Sequence, residues 1–583
     1  MPTTIKPIVR KLDDNSNALQ QFQDELWENE TTKERDILLQ FPTVYIHNWK
    51  DTEDYEVYIG ESNNIIQRTK QHYENCGDPS KWQSHLTGDN ASLYVIGHEH
   101  FNKSLTLDIE NRLMLYLLSS NKVKKIHNMR GNPQNRYYPD EELDDIFRKT
   151  WKKLRAYDKE LFPAESSIKD SAVFKASPLH KLTEDQEAIK DIIINRVLDA
   201  LESEKKNQII FIEGEAGTGK TVLNSSTFYE LYSRAEEEEK KISCYMLVNH
   251  DEQIAVYSQI AQKLGLLDKN GKEVVSKPTP FINKHNPNEP VDVAFIDEAH
   301  LLLTQGRQAY QGDNQLKDIV DRARVTVVMF DENQILTTDQ YWEAQILDEF
   351  RQKAKDTNNY FELKNQLRIQ APKDVVDWID GFTKEKQLKL LPSDMGDYEI
   401  KIFDTPLEME KAIREKAKKE DHKLSRMVAT YDWQYSSKEV LKEYWKVSIN
   451  GWERPWNREL EHDMLPKEKR NIKSLAWAEQ PQTIKEIGST FTIQGFDLNY
   501  VGVILGPSVQ YRDGKIVFDP SKKAYQRMTQ NRTLSDGTRQ QFGEELTQHE
   551  IRILMTRGVE GLYIYACDDE LREELKKMAS GEE

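Results

Sequence analysis

The sequence predicts a multidomain α/β protein, and three observations carry that prediction. From residue 182 onward, apolar runs of buried-strand type alternate with helical segments, the pattern of parallel sheets covered on both faces. These runs fall in two series, IIFIEG, SCYMLV, VDVAFID and VTVVMFD, then EIKIF, RMVAT, YVGVILG and GLYIYA, so two α/β units stand in tandem. Before them, residues 41–139 mix short strands and helices as a smaller α/β unit. The chain has 583 residues, enough for about four domain-sized units at ~150 residues each.

Composition removes several classes. Charged residues make up 31% and the hydrophobic set 37%, with 81 Lys plus Arg against 99 Asp plus Glu. A net charge of −18 argues against a protein that coats nucleic acid or anionic membrane with its whole surface, and leaves room for a local basic groove. No apolar run reaches the ~18 residues a membrane span needs. The N-terminus lacks an apolar signal core. Cys76, Cys244 and Cys567 are far apart and offer neither a disulfide framework nor a zinc cluster, so cytoplasm is the expected compartment.

In chain order, residues 1–40 are polar and read as a helical extension. Residues 41–139 form the small α/β domain. Within 140–181, Leu143, Ile146, Phe147, Trp151, Leu154 and Leu161 recur at helical spacing, an amphipathic helix. Pro163 to Lys181 is aperiodic and Ser/Pro-containing, which predicts a flexible linker. Residues 182–371 make the first α/β unit, and 372–583 the second with a Trp-rich insertion.

Gly214 to Thr221 reads GEAGTGKT directly after the strand IIFIE, the strand–loop–helix context in which G-x-x-x-x-G-K-[ST] binds phosphates. Gly214, Gly217 and Gly219 let backbone N–H groups close around the anion at a helix N-terminus. Lys220 would neutralise β/γ oxygens, and the Thr221 hydroxyl would join a Mg²⁺ shell. VDVAFIDEAH ends a second buried strand with Asp297 and Glu298. Asp297 suits a Mg²⁺ contact and Glu298 a base that orients the attacking water. ATP and Mg²⁺ are therefore the expected cofactors.

With these residues in order, the chain from 182 onward resembles superfamily 1 helicases, and more specifically the schlafen-type helicase domain. LTEDQEAI supplies Gln186, matching the adenine-reading glutamine. FDENQIL supplies Asp331 and Gln334, matching the γ-phosphate sensor. LKNQLRI supplies Arg368 and ILMTRGVEGLYIYACD supplies Arg557, matching the two arginines that the second unit offers to ATP. STFTIQGFDLNYVGVILG, with Gln494 and Gly495, matches the motif that couples ATP to the bound strand. The resemblance implies two tandem RecA-like P-loop domains and a nucleic-acid partner, DNA ranking ahead of RNA. A guanidinium offered across a cleft stabilises the transferring phosphoryl group and makes hydrolysis depend on closure.

Residues 372–483 hold Trp378, Trp433, Trp445, Trp452, Trp456 and Trp477, six of the 11 tryptophans. Trp452 and Trp456, beside Arg454 and Arg458, are the best candidates for base stacking, with core packing the competing fate. Lys522, Lys523, Arg527, Arg532 and Arg539 form a second candidate track, for phosphate contact or simply solvation.

In the small domain, PTVYIHNWKDTEDYEVYIG puts Tyr45 and Tyr58 at equivalent places on two strands of a hairpin. Arg68 and His72 follow at i, i+4 on one helix face. Glu110 lies on another helix, and Lys122 to Arg136, around Asn128, has five basic residues and no acid. This set resembles the GIY-YIG nucleases, with Thr43 at the position where the first motif usually has glycine. The resemblance makes Glu110 the Mg²⁺ ligand, Arg68 the stabiliser of the pentacovalent phosphate, and His72 a proton shuttle or phosphate holder. Tyr45 or Tyr58 serves as general base, with the choice open.

The expectation is thus an ATP-driven nucleic-acid motor fused to a Mg²⁺-dependent endonuclease. Its analogy is to bacterial systems that act on foreign DNA, an anti-phage role. Two alternatives stay open: an ATP-gated nucleic-acid sensor that recruits without cutting, and a repair or restriction motor. A homo-oligomer or a defence-system partner also stays open. No membrane partner is expected.

Overall fold

The computed structural model describes residues 5–28, 32–79, 81–86, 88, 90–128, 137–203, 205–237, 242–268, 271–307, 309–364, 369–436, 443–472 and 475–581. The chain divides into two units, one of residues 1–182, 228–241 and 258–273, the other of 183–227, 242–257 and 274–583.

The first unit is built on a five-stranded sheet. Its elements are β1 (Ile8–Asp13), α1 (Ser16–Glu28), α2 (Thr32–Leu39), β2 (Thr43–Asp51), β3 (Asp54–Ser62), α3 (Ile65–Glu74), β4 (Ala91–Gly97), α4 (Lys103–Ser119), β5 (Val123–Ile126), α5 (Leu143–Tyr157), α6 (Glu165–Asp170) and α7 (Ala172–Lys175). The spatial order is β1-β4-β2-β3-β5, antiparallel except for the β3–β5 pair. Leu19, Phe22 and Leu26 of α1 pack with Ile65 and Ile66 of α3 against Tyr45, Leu93 and Val95 of the sheet.

Two expectations change here. The sequence predicts only helices before residue 41, but Ile8–Asp13 forms an edge strand paired with Ser92–Gly97. Its run IVRKLD alternates weakly, with Lys11 exposed and Arg10 half-buried in an ion pair with Glu34, the charges of an edge strand. Nor is 163–181 a flexible linker. It folds into α6 and α7, burying Ile168, Ala172, Val173 and Leu179, while Trp151 Nε1 donates to Pro163 O at 2.9 Å. Helices of six and four residues are too short to show a helical period, which is why the segment reads as aperiodic. α5 buries Ile146, Phe147, Trp151 and Leu154, as its spacing predicts.

Among the described residues the second unit holds two large sheets, every pairing within them parallel, and three two-stranded antiparallel ones. The first lobe is built from α8 (Glu184–Glu202), β6 (Gln208–Gly214), α9 (Lys220–Glu237), β7 (Cys244–Leu247), α10 (Asp251–Leu264), β8 (Val275–Ser276), α11 (Pro278–Lys284), β9 (Val291–Ile296), α12 (Gln315–Val320), β10 (Ala323–Phe330), α13 (Ala344–Asp356) and β11 (Tyr360–Leu363), the ends of α9 and α10 from residues 228 and 258 onward counting with the first unit. Its strand order is β11-β6-β10-β9-β7-β8. Non-consecutive neighbours joined in parallel require helical crossovers, and the ends of β6, β9 and β10 then open on one edge, where ligands of such sheets bind.

The second lobe begins with α14 (Lys373–Thr383), β12 (Glu399–Ile402), α15 (Pro406–Ala417) and β13 (Arg426–Ala429). The hairpin β14 (Lys446–Ile449) and β15 (Trp452–Pro455) follows, then α16 (Pro466–Ile472), β16 (Ile487–Gly488), α17 (Thr490–Ile493) and β17 (Leu498–Leu505). Another hairpin, β18 (Val509–Arg512) and β19 (Lys515–Phe518), precedes α18 (Gln526–Thr529), β20 (Arg532–Thr533), β21 (Arg539–Gln540), α19 (Gly543–Met555), β22 (Gly558–Ala566) and α20 (Asp569–Ser580). The sheet order is β12-β22-β17-β13-β16.

The predicted nucleic-acid tracks are largely internal. Trp456 and Trp477 have no solvent exposure and Trp378 is buried, so these tryptophans pack the lobe. Trp452 is half-buried, its Nε1 donating to Glu410 Oε2 at 2.9 Å, and Arg454 pairs with the same carboxylate. Arg458 pairs with Glu252. In the second track, Lys523 is enclosed between Asp432 and Glu550, and Arg532 donates to Thr304 and Thr338. Only Lys522, Arg527 and Arg539 of the five stay near the surface.

Breaking one partner of a buried ion pair strands the others. Lys523→Ala is expected to lower the stability of this lobe by about 3–5 kcal/mol in urea unfolding.

Candidate functional site

The phosphate loop follows β6. Gly217 and Gly219 adopt φ of 86° and 80°, the left-handed region that their missing side chains permit. A Cβ on Gly214 would lie 2.6 Å from Thr218 Oγ1, so that glycine lets the loop close on itself. Lys220 Nζ donates to the carbonyls of Gly214 at 2.6 Å and Glu215 at 2.9 Å, and lies 3.6 Å from Asp331 Oδ2.

Asp297 and Glu298 sit at the end of β9. Thr221 Oγ1 reaches Asp297 Oδ2 at 3.2 Å, and Tyr257 Oη donates to the same oxygen at 2.5 Å. Asp297 Oδ1 is buried without a hydrogen-bond partner among the described residues. Burial and then the neighbouring Glu298 charge push the Asp297 carboxyl up to about 7. An orphaned carboxylate oxygen beside a threonine hydroxyl fits a Mg²⁺ shell, which would favour the ionised form. Burial also works to raise Glu298, but His300, Lys220 and Arg557 outweigh it and hold the group below the usual carboxylate value. Glu298 adopts a left-handed φ of 49°, an uncommon conformation for a residue with a side chain. Its Oε1 accepts from Gln253 Nε2 at 3.3 Å, and His300 Nε2 lies 3.3 Å from Oε2.

Across the cleft within the same unit, Gln334 Nε2 donates to Asp331 Oδ2 at 2.6 Å. Arg557 Nη2 donates to Gln334 Oε1 at 3.0 Å, and Gln494 Nε2 approaches Gln334 O at 3.4 Å. Arg557 is fully buried and therefore pre-aimed. A Cβ on Gly495 would meet Gln253 Nε2 at 2.4 Å, so this glycine lets the second lobe touch the residue that holds Glu298. Of the predicted ATP residues, Arg368 lies outside the described residues. Gln186 touches the phosphate loop but its amide is occupied: Oε1 accepts from Thr183 N at 3.0 Å, and Nε2 donates to Thr218 O at 3.2 Å.

Sequence reasoning missed Tyr257, Gln253, His300 and the group around Glu215. His300 carried a signal, since it closes the quoted DEAH run. Gln253 and Tyr257 are four apart on α10, a spacing that defines a face without saying what it meets. Glu215, inside the phosphate loop, pairs with Arg552 at 2.7 Å and Lys384 at 2.8 Å, both from the second lobe.

In the first unit the tyrosine set comes together. Tyr45 pairs with Gly60 and His47 with Tyr58 in the β2–β3 ladder, so both tyrosines share one face, with ring centroids 6.2 Å apart. Tyr45 Oη lies 3.0 Å from His72 Nε2 and accepts from Arg68 Nε at 3.3 Å. Burial, followed by the charges of His47 and Arg68, lowers His72 to about 3, so it stays neutral beside the tyrosine hydroxyl. Burial and Tyr58 raise the Tyr45 hydroxyl far above its usual value despite Arg68. Trp82 stacks on Tyr58 at 4.1 Å. Glu110 is buried on α4 and accepts from Asn128 Nδ2 at 3.4 Å, while Asn128 Oδ1 accepts from Ile59 N at 3.2 Å. One asparagine thus ties Glu110 to the strand that carries Tyr58. Residues 129–136, with Arg130 and Arg136, lie outside the described residues.

The family model for the Schlafen group 3 DNA/RNA helicase domain matches residues 207–568, well over half of the chain. The chain belongs to that family. An uncharacterized protein of Saccharomyces cerevisiae, YPL245W, is 30% identical over 428 residues, covering 68% of this chain and 90% of the relative. Among solved structures, the Pif1 helicase from Candida albicans is 17% identical, with 41% of this chain and 55% of that chain covered and a TM-score of 0.22. A DEAD box protein from Methanococcus jannaschii is 13% identical, with 71% and 94% covered and a TM-score of 0.27. The Schlafen group 3 assignment spans the phosphate loop, Asp297–Glu298, Asp331–Gln334 and Arg557, the residues this geometry assembles. No helix among the described residues is long and apolar enough to cross a membrane.

Arg557 is the cation the second lobe presents to this cluster. Arg557→Ala is expected to lower kcat for ATP hydrolysis by about 10³-fold or more with little change in ATP affinity, read by steady-state kinetics and nucleotide binding.

Proposed function

We propose that this protein is an ATP-dependent nucleic-acid translocase or helicase fused to a Mg²⁺-dependent endonuclease of GIY-YIG type. The observation that carries the motor is the buried sequence Lys220, Asp331, Gln334 and Arg557, which runs from the phosphate loop to the second lobe. Lys220 and the loop amides bind the phosphates, and Thr221 with Asp297 would hold Mg²⁺, which supplies charge neutralisation when bound. Glu298 orients the attacking water, and Arg557 stabilises charge on the transferred group. Hydrolysis then requires both lobes, which links chemistry to movement on a strand.

The convergence of Tyr45, Tyr58, Arg68 and His72, with Glu110 tied in through Asn128, supports the nuclease half. Glu110 would hold Mg²⁺, which supplies Lewis-acid stabilisation when bound. Among the described residues no group of three His, Cys, Asp or Glu forms a cation cage. One carboxylate, with substrate phosphate and water completing the shell, is a pattern Mg²⁺ accepts. Both hydroxyls meet Arg68, but Tyr45 is enclosed and also held by His72, whereas Tyr58 is half-buried. That contrast favours Tyr58 as the base on the attacking water, with Tyr45 as its positioning partner and Arg68 on the phosphate. Nucleic acid is the partner, DNA ahead of RNA, and a role against foreign DNA is the setting such a fusion suggests.

The test is a matrix of labelled single- and double-stranded DNA and RNA, with Mg²⁺, with and without ATP. Wild type is expected to cut at least one substrate and to hydrolyse ATP faster when nucleic acid is present. Glu110→Ala should abolish cutting and Lys220→Ala should abolish hydrolysis. If wild type leaves every substrate as intact as Glu110→Ala does, the nuclease half is wrong and an ATP-gated binder remains. A hydrolysis rate that ignores nucleic acid removes the motor.

A further inference from the structure

Beside the tyrosines stands a histidine to which the resemblance assigns no role. His47 lies two residues beyond Tyr45 on β2 and directly opposite Tyr58 in the ladder, so its side chain joins theirs on one face. Its ring centroid is 5.4 Å from Tyr45, 6.3 Å from Tyr58 and 5.2 Å from His72. His47 Nδ1 lies 2.6 Å from Asp14 Oδ2, and neither side chain has any solvent exposure. The other Asp14 oxygen accepts from Tyr73 Oη at 2.8 Å. Asp14 sits just past β1, in the segment before the tyrosine hairpin.

A carboxylate only accepts, so the hydrogen of neutral His47 belongs on Nδ1 and the lone pair on Nε2. That Nε2 is buried and has no hydrogen-bond partner among the described residues. A buried acceptor left unpaired is destabilising, which invites a functional explanation. The groups against His47 are Asp14, Tyr45 on its own strand, Tyr58 on β3 and His72 on α3, with Tyr73 and Cys76 behind Asp14 and Arg68 behind Tyr45 and His72. Trp82 closes the pocket at 5.5 Å. Tyr45 already has His72 as its hydrogen-bond partner at 3.0 Å. Tyr58, whose hydroxyl meets Tyr45 and Arg68, is paired in the ladder with His47, and their ring centroids are 6.3 Å apart.

We propose that Asp14 and His47 form a proton relay for Tyr58, with His47 Nε2 taking, through one water, the proton that Tyr58 must lose before it can act as a base. The phenol O–H bond breaks and the Nε2–H bond forms, giving a phenolate and an imidazolium whose charge Asp14 balances. The phenolate then takes a proton from the attacking water as the new P–O bond forms. The P–O bond to the leaving oxygen breaks, that oxygen takes a proton from a solvent water, and the imidazolium passes its own back through the bridging water to the hydroxide so formed. His47 acts through Tyr58 and is a positioning residue, as is Asp14.

The relay rests on the nuclease reading, and the test separates the two. With the full chain, Mg²⁺ and the labelled substrates, Asp14→Asn and His47→Gln are expected to slow cutting on the order of 10²-fold or more without weakening substrate binding. His47→Gly should regain cutting when imidazoles are added, the more basic ones restoring more, which a purely structural histidine would not produce. Thermal melts of each variant identify any that fail to fold, and His47→Gln serves if His47→Gly does not. If wild type cuts and Glu110→Ala does not, yet Asp14→Asn and His47→Gln cut at the wild-type rate, the relay is wrong and the nuclease stands. Folded His47→Gly that no imidazole restores also overturns the relay. If wild type cuts nothing, the nuclease reading fails and the relay falls with it.

Discussion

Lys220 has almost no access to solvent, and an ammonium in such a place must be paired or pay several kcal/mol for its lost hydration. Here two backbone carbonyls and Asp331 supply that pairing. Asp331 in turn is held below the usual carboxylate value, Lys220, His300 and Gln334 together overcoming its burial. Gln334 then hands the sequence of contacts to Arg557. Nothing in this line can change alone. Phosphate oxygens arriving at Lys220 would take over from the carbonyls and Asp331, and the released carboxylate would redistribute onto Gln334 and so onto Arg557. On the proposed motor reading, the requirement that buried polar groups stay paired would link a nucleotide at the phosphate loop to the position of the second lobe.

The parts of this site that lie at strand ends were legible before any coordinates. GEAGTGKT after IIFIE and the Asp–Glu pair after VDVAFI announce themselves because chemistry, spacing and strand context coincide. Tyr257 and Gln253 did not, since a polar residue on an amphipathic helix is indistinguishable from a solvated one until its neighbour is known. Trp456 and Lys523 show the opposite error. Aromatic and basic residues near a predicted nucleic-acid path look like contacts, yet one fills a core and the other is locked between two carboxylates. Segment 163–181 was misread because helices of a turn or so carry no period.

The tyrosine domain teaches a related lesson about boundaries. Motifs locate the hairpin and the helix that bears Arg68 and His72, so residue 41 looks like a natural start. The sheet begins earlier, with an edge strand whose following residue, Asp14, reaches the buried face of that hairpin. A long-range contact of this kind leaves no periodic trace, and the orphaned Nε2 of His47 exists only as a property of the packed pocket.

The most direct measurement of the coupling is the nucleic-acid-stimulated ATPase rate of Gln334→Ala beside its affinity for ATP. Gln334 touches both Asp331 and Arg557, so its removal should leave ATP binding close to wild type and abolish the stimulation. A variant that binds ATP normally and is stimulated as fully as wild type would contradict the link between the phosphate loop and the second lobe.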